Sequence, residues 1–343
     1  MLDQTKPVQY VRISKIFLVD YDVNEAAKQK ELMEYGNELL VTLTRIYKGI
    51  VQEVETLQIE TSIPKDAGFF YSPNHILYKS TTLQMIADGI TSYRLNIRNT
   101  AQVDGKNYEA SAETKLINIR VNSLTYPGKS YNTGNSQTNF IGTYPEAYNE
   151  NYTIKFFSGQ YGALYNTTIR LHYSERRLGT NVFENKYADW NVLDASPPSY
   201  AGNEEMKTIT SGYRFYEYFG NNIPVIEGVQ RFADSLEYIV TVVDENIKTY
   251  MEVNKPSNGL VTDKPHFSNI TNGMGIFGAR TSIHAIAKTI ITFDTKSGSR
   301  VYRCGLNLPS GDSLSCGALT KKLNFATFIN TNATNGIDTT SCP

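Results

Sequence analysis

Residues 250–278 read YMEVNKPSNGLVTDKPHFSNITNGMGIFG, and the choice between two readings of them decides the fold class. Gly273-Met-Gly275-Ile-Phe-Gly278 matches G-x-G-x-x-G, the pattern whose glycines let a backbone approach a pyrophosphate at a helix N-terminus. That chemistry needs a buried strand before the glycines and a helix after them, inside a βαβ unit. The residues that precede them are DKPHFSNITN, which is turn chemistry built on Pro, Ser and Asn. The surrounding strands alternate in the antiparallel manner. The stretch is therefore read as tight turns and close backbone packing, with Asn-Gly pairs at 258 and 272 reversing the chain. Asn272, Gly273, Gly275, Phe277 and Gly278 form a structural signature, Ile276 and Phe277 enter a core, and no cofactor is expected.

Working outward, the pattern is β-structure on both sides. Val11, Ile13, Phe17 and Val19 share one face of a strand at 8–20. Asn24 is placed to cap a short helix over about 25–35 that Gly36 stops. Residues 38–60 form a hairpin around Lys48-Gly49, and His75–Lys79 is a brief strand. Tyr93, Leu95 and Ile97 alternate with Arg94, Asn96 and Arg98, and Asp104-Gly105 turns the chain back through Tyr108, Ala110 and Ala112. These strands suit a β-sandwich.

From Tyr126 to Asn149 the composition shifts to Gly, Asn, Ser, Thr and Pro, which marks a linker. A second antiparallel set follows. Ile154 and Phe156 lead to a turn at Ser158-Gly159, and Ile169, Leu171 and Tyr173 alternate with Arg170, His172 and Ser174. Residues 176–205 read as loop, and 212–220 (GYRFYEYFG) as an aromatic helical turn or more. Leu236, Tyr238, Val240 and Val242 make a strand, Thr249–Val253 another, and Ile283–Phe293 a third. The resulting domains are an N-terminal sandwich over 1–122, truncated at its start, a linker at 123–149, a C-terminal antiparallel domain with one or two short helices over 150–310, and a poorly ordered Asn/Thr-rich tail at 311–343.

Composition excludes more than it assigns. The 24 tyrosines against one tryptophan favour pleated, half-buried surfaces. A net charge of −1 gives no field for nucleic acid or an anionic membrane. No apolar run reaches the ~18 residues of a transmembrane helix. The opening MLDQTKP is not a signal peptide, yet strand-like sequence begins at Val8, so the chain is expected to open inside a domain that starts upstream. Cys304, Cys316 and Cys342 are an odd, clustered set; Cys304 and Cys316 either bridge a loop or remain free thiols.

The remaining motifs carry little chemistry. Asp20, Asp22, Asn24 and Glu31 fall at EF-hand positions, but Glu25 stands where the loop needs Gly, and a strand precedes it. His75, His172, His266 and His284 have no paired ligand spacing. Ser62-Ile-Pro-Lys65 is a lone S-x-x-K against a proline. No metal site and no catalytic residue is therefore expected. Asn151, Asn166, Asn269 and Asn332 begin N-x-[ST] sequons, which matter only in a glycosylating pathway. The aromatic clusters are Phe69-Phe70-Tyr71 and the run from Tyr213 to Phe219. Tyr213, Tyr216, Tyr218 and Trp190 are candidate platforms for a ligand or partner; packing between sheets is the competing and favoured reading.

Five stretches in order carry a resemblance: VQYVRISKIFL at 8–18, IPKDAGFFYSPNHILYKS at 63–80, SYRLNIRN to EASAETKL within 92–116, GALYNTTIRLHYSE at 162–175, and EYIVTVV to NGMGIFGARTS within 237–282. They resemble the surface lipoproteins of a Bacteroidota-type domain family of unknown function, most specifically at SNITNGMGIFGARTS. The resemblance implies an immunoglobulin- or transthyretin-like first domain and an N-terminal lipid anchor preceding the point where this chain begins. It further implies a place at the outer-membrane surface, or alternatively in the periplasm. The expected function is a non-enzymatic binding or accessory module, with an outer-membrane transporter or other envelope protein as partner. A structural or assembly protein of the envelope is the alternative, and an uncharacterised hydrolase the second.

Overall fold

The computed structural model describes residues 1–16, 19–66, 74–101, 108–120, 123–126, 151–180, 182–255, 266–287, 290–295, 298–303, 314–326 and 329–330. The chain is mainly β, built from several antiparallel sheets with four short α-helices among these residues. The turns at Asp104-Gly105 and Asn258-Gly259, the Phe69-Phe70-Tyr71 cluster, Phe17, Asn332 and the linker beyond Tyr126 lie outside them.

The first unit sets a four-stranded sheet, in the order β4 (Ile50–Thr56), β3 (Leu39–Tyr47), β7 (Ser92–Asn99) and β8 (Glu109–Lys115), beside a three-stranded one. The latter runs β2 (Gln9–Arg12), β6 (Leu77–Ser80), β5 (Gln58–Glu60). The expected hairpin is present. Lys48 and Gly49 both take positive φ (48° and 79°), which matches the right-handed twist of the strands they join. Val41, Leu43, Tyr93 and Leu95 fill the interior with Val11 and Tyr78 from the other sheet. Glu55 fastens the two sheets: its carboxylate accepts from the Ser80 hydroxyl and the N–H groups of Thr81, Thr82 and Leu83.

The helix expected over 25–35 is two single turns instead, α1 (Val23–Ala26) and α2 (Lys30–Met33). Asp22 rather than Asn24 caps the first, accepting the Asn24 N–H at 2.7 Å. Asp and Asn are near-equal caps, so sequence alone does not rank them.

The second unit is organised on a five-stranded sheet in the order β1 (Leu2–Asp3), β15 (Ala279–Ala287), β14 (Val229–Val243), β11 (Leu164–Arg177), β12 (Phe183–Ala195). One face packs on a three-stranded sheet, β13 (Glu205–Ser211), β10 (Asn151–Phe157), β9 (Leu124–Tyr126). Tyr165, Ile169, Leu171, Tyr238, Val240 and Val242 point inward and are fully buried. Tyr152 stacks on Tyr238 and Phe156 on Tyr165 across the interface. A small sheet of β16 (Ile290–Thr295), β17 (Gly298–Arg303) and β18 (Ile329–Asn330) follows.

Four expectations change. Residues 183–195 are not loop but a 13-residue edge strand. Trp190 alone is buried, with Ala188, Val192 and Ala195 half-buried against the core, while Phe183, Tyr187 and Leu193 stand exposed and blur the hydrophobic alternation. Residues 249–253 are not a strand but the end of α4 (Glu245–Val253), which Asp244 caps through the Ile247 N–H. The 311–343 tail is partly built in: Leu314, Leu323 and Phe325 are buried. The fully buried Arg231 guanidinium donates to the Leu323 and Pro224 carbonyls and to Glu175, holding that segment on the core. Leu2–Asp3, read with the first domain, instead pair parallel with Ala279–Arg280 in the second unit's sheet. Cys316 is disulfide-bonded; its partner, Cys304 or Cys342, lies outside the described residues.

Candidate functional site

Strands with period 2 send alternate side chains to opposite faces. The face of the five-stranded sheet turned away from β10 and β13 therefore displays what the inner face leaves out. The pairing register aligns these side chains into rows across the strands. Ser282, Thr241, Asn166 and Asp194 form one row. His284, Ile239, Thr168 and Asn191 form the next, and Ile286, Glu237, Arg170 and Asp189 a third.

Neighbours within this lattice are tied together. Asn166 donates to Asp194 at 2.8 Å, and the Thr168 hydroxyl lies 2.8 Å from the Asn191 side-chain oxygen. Thr241 and Ser282 share a hydrogen bond of 3.1 Å. Arg170 grips Asp189 with two parallel bonds of 2.6 and 2.8 Å, a geometry only a guanidinium provides. Its Cζ lies 4.2 Å from the centre of the Tyr187 ring. Glu237 sits between two imidazoles, with His172 Nε2 at 2.8 Å and His284 Nδ1 at 2.7 Å.

The face is a groove of about 650 Å³. Helix α4 walls one end with Ile247 and Met251, four residues apart and so on one helix side. The N-terminal segment adds Asp3, Thr5 and Lys6, and Arg280 stands beside it. Tyr187, 59% exposed, lies against Arg170 of the groove lining.

Electrostatics narrows the chemistry. The hydrogen bonds from His172 and His284 hold the Glu237 carboxyl far below the usual carboxylate range. A carboxylate held so firmly ionised is no general acid near neutrality. Asp189 raises the pKa of Arg170 further, which keeps that pair charged and paired. Among the described residues no group of three or more His, Cys, Asp or Glu is arranged to hold a metal ion. The lattice is built to hold hydrogen-bonding groups in fixed orientation.

The aromatic platforms sit behind this face. Trp190 and Tyr216 are buried, so neither meets a ligand; both pack in a cluster with Phe215 and Phe219 from α3 (Gly212–Asn222). Tyr218 is half-buried, stacks on Trp190 and donates its hydroxyl to the Asp189 carbonyl at 2.7 Å. It thereby supports the strand that carries Asp189 and Asn191. Tyr213 alone of the four is exposed, and it lies on the helix rather than in the groove.

The glycine signature is structural in detail. Asn272 takes φ +58° and Gly275 φ +139°, a value that disfavours any side chain. Asn269 clamps the turn, donating to the Phe277 carbonyl and accepting the Phe277 N–H. Phe277 is buried, whereas Ile276 is only half-buried. Gly278 makes room for a buried carboxylate: a Cβ there would lie 2.7 and 2.8 Å from the Asp244 oxygens. Asp244 accepts from the N–H groups of Ile247 and Ala279 and from the Thr114 hydroxyl, and so joins the two units. Burial pushes its pKa up despite those donors.

Beside Asp244 a second cavity of about 350 Å³ opens between the units, lined by Glu113, Lys115, Tyr161 and Tyr200. Tyr161 adopts φ +68°, unusual for a bulky residue. Its hydroxyl donates to the Gly89 carbonyl and meets the Lys115 ammonium at 3.1 Å, so the strained conformation staples one unit to the other.

The sequence placed Arg170 and His172 on the outward side of their strand. Glu237, Asp189, Asn191 and His284 escaped it, because their convergence depends on strand order. The chain matches no protein-family model, and no curated protein matches it.

Proposed function

We propose that the protein is a non-enzymatic binding module that holds its ligand on the outer face of the five-stranded sheet. The observation that carries this reading is the groove of about 650 Å³ whose polar floor is pre-oriented by its own hydrogen bonds. Pre-orientation lowers the entropy cost of binding, since few side chains must be immobilised when the ligand arrives. The ionised Glu237, locked between two imidazoles, supports a binding rather than a proton-transfer role. The resemblance to envelope lipoproteins supports a place at the outer-membrane surface, beside a transporter that the module would supply.

The test is retention. Immobilised protein is exposed to a mixture of neutral oligosaccharides and random-sequence hexapeptides, and retained molecules are identified by mass spectrometry. The wild-type protein is expected to retain one class, and Ser282→Trp, which fills the groove, to release it. Equal retention by both proteins would refute the site.

A further inference from the structure

We infer that the groove takes an uncharged chain of linked sugars lying across the strands, a deepening that rests on the binding-module reading. Four features of the floor point to this ligand class.

The backbone beneath the groove is already paired. β14 and β11 are interior strands, each hydrogen-bonded on both sides, so the floor offers a ligand only side chains. An extended peptide that binds a sheet draws its affinity from an open strand edge; here that edge belongs to β12 at the end of the rows, and the central floor on β11 and β14 has none.

The floor groups are alcohols and amides. Thr241 and Ser282 are joined in a pair and keep capacity for a further bond, while Thr168, which already donates to the Asn166 and Asn191 oxygens, can still accept one. A sugar hydroxyl, both donor and acceptor, complements such groups in either sense. Ile239, with 8% of its surface exposed, lies between them and meets the C–H face of a ring.

The charges are compensated. Arg170 pairs with Asp189 and Glu237 with two imidazoles, while Arg280 stands opposite Asp3 in the strand register. Neither a polyanion nor a polycation finds a field of one sign here.

The spacing also fits. Adjacent strands are ~4.8 Å apart, so each row offers a side chain at intervals of ~4.8 Å over ~14 Å. That interval is close to the length of one ring in a β-1,4-linked chain, and the row holds about three rings.

Isothermal titration calorimetry of the full chain with cellohexaose, xylohexaose and mannohexaose, and separately with a random-sequence hexapeptide pool, tests the inference. At least one hexaose is expected to bind, with tenfold higher affinity than its disaccharide. Asn191→Ala, and Thr241→Val, which keeps the shape but removes the hydroxyl, are each expected to weaken it fivefold or more with melting curves unchanged. Peptide binding without hexaose binding would overturn the sugar inference and leave the binding-module reading standing. Hexaose binding that neither variant weakens would place the sugar elsewhere and overturn it. No binding of either class would overturn both.

Discussion

The two faces of the five-stranded sheet are made by the same strands, yet they obey different rules. The inner face of β11 and β14 carries Tyr165, Ile169, Leu171, Tyr238, Val240 and Val242, fully buried against β10 and β13. The outer face of those strands carries Asn166, Thr168, Arg170, His172, Glu237 and Thr241, joined to each other and to β12 and β15 by hydrogen bonds. Apolar burial is non-directional and gives stability. A hydrogen-bonded lattice adds little net stability per bond but fixes direction. The sheet thus separates what holds the fold from the face we propose meets a ligand, and substitutions on the two faces should separate in the same way.

The largest effect belongs to the inner face. Tyr238→Ala removes a fully buried ring stacked on Tyr152 and is expected to cost about 3–5 kcal/mol in chemical denaturation. A loss below 1 kcal/mol would mean the two sheets do not depend on that contact.

Next comes the junction. Gly278→Ala forces a methyl group against the Asp244 carboxylate and is expected to cost about 1–3 kcal/mol. The clash disappears if Asp244 is itself shortened, so Gly278→Ala combined with Asp244→Ala should cost less than the sum of the two. Strict additivity in that double-mutant cycle would contradict the contact.

Glu237 contributes on the outer face, and its sign is fixed by its depressed pKa. Stability from such a carboxylate is fully present above the unfolded value of ~4.3 and is lost as pH falls toward the folded value. Wild type should exceed Glu237→Gln by about 1–3 kcal/mol at pH 7, and the gap should narrow below pH ~4. A gap that widens as pH falls below ~4 would show that the carboxylate is not held in its ionised form.

The smallest stability effect is expected at the groove floor. Asn191→Ala should change the unfolding free energy by no more than about 0.5 kcal/mol, because the residue is exposed and its Thr168 partner keeps its bond to the Asn166 side-chain oxygen. A loss of 2 kcal/mol or more would make the lattice part of the structural core.

Much of the β-architecture was legible because burial leaves period-2 patterns. Ile169, Leu171 and Tyr173 against Arg170, His172 and Ser174 announced β11, and Leu236 to Val242 announced most of β14. The edge strand β12 was not legible, since its core side offers one buried residue, Trp190, beside the half-buried Ala188, Val192 and Ala195, and Phe183, Tyr187 and Leu193 are exposed. Helix α4 was hidden because Met251 and Val253 also fit alternation, and only the cap at Asp244 and the Ile247–Met251 spacing distinguish it. The G-x-G-x-x-G stretch was legible as tight turns, but the purpose of Gly278 became visible only with Asp244 beside it, 34 positions earlier in the chain. The groove was legible in half: its residues come from five strands and a helix, and neither strand order nor register is written in local sequence.

Amide chemical-shift mapping during titration with cellohexaose, xylohexaose and mannohexaose in turn reports directly whether the outer face is where a ligand sits. With a sugar that binds, the shifts should concentrate at Asn166, Thr168, Asn191, Thr241, Ser282 and His284, with Tyr165, Ile169 and Tyr238 behind them nearly unmoved. Shifts gathered instead around Glu113, Tyr161 and Tyr200, or no shifts with any of the three sugars, would contradict the assignment.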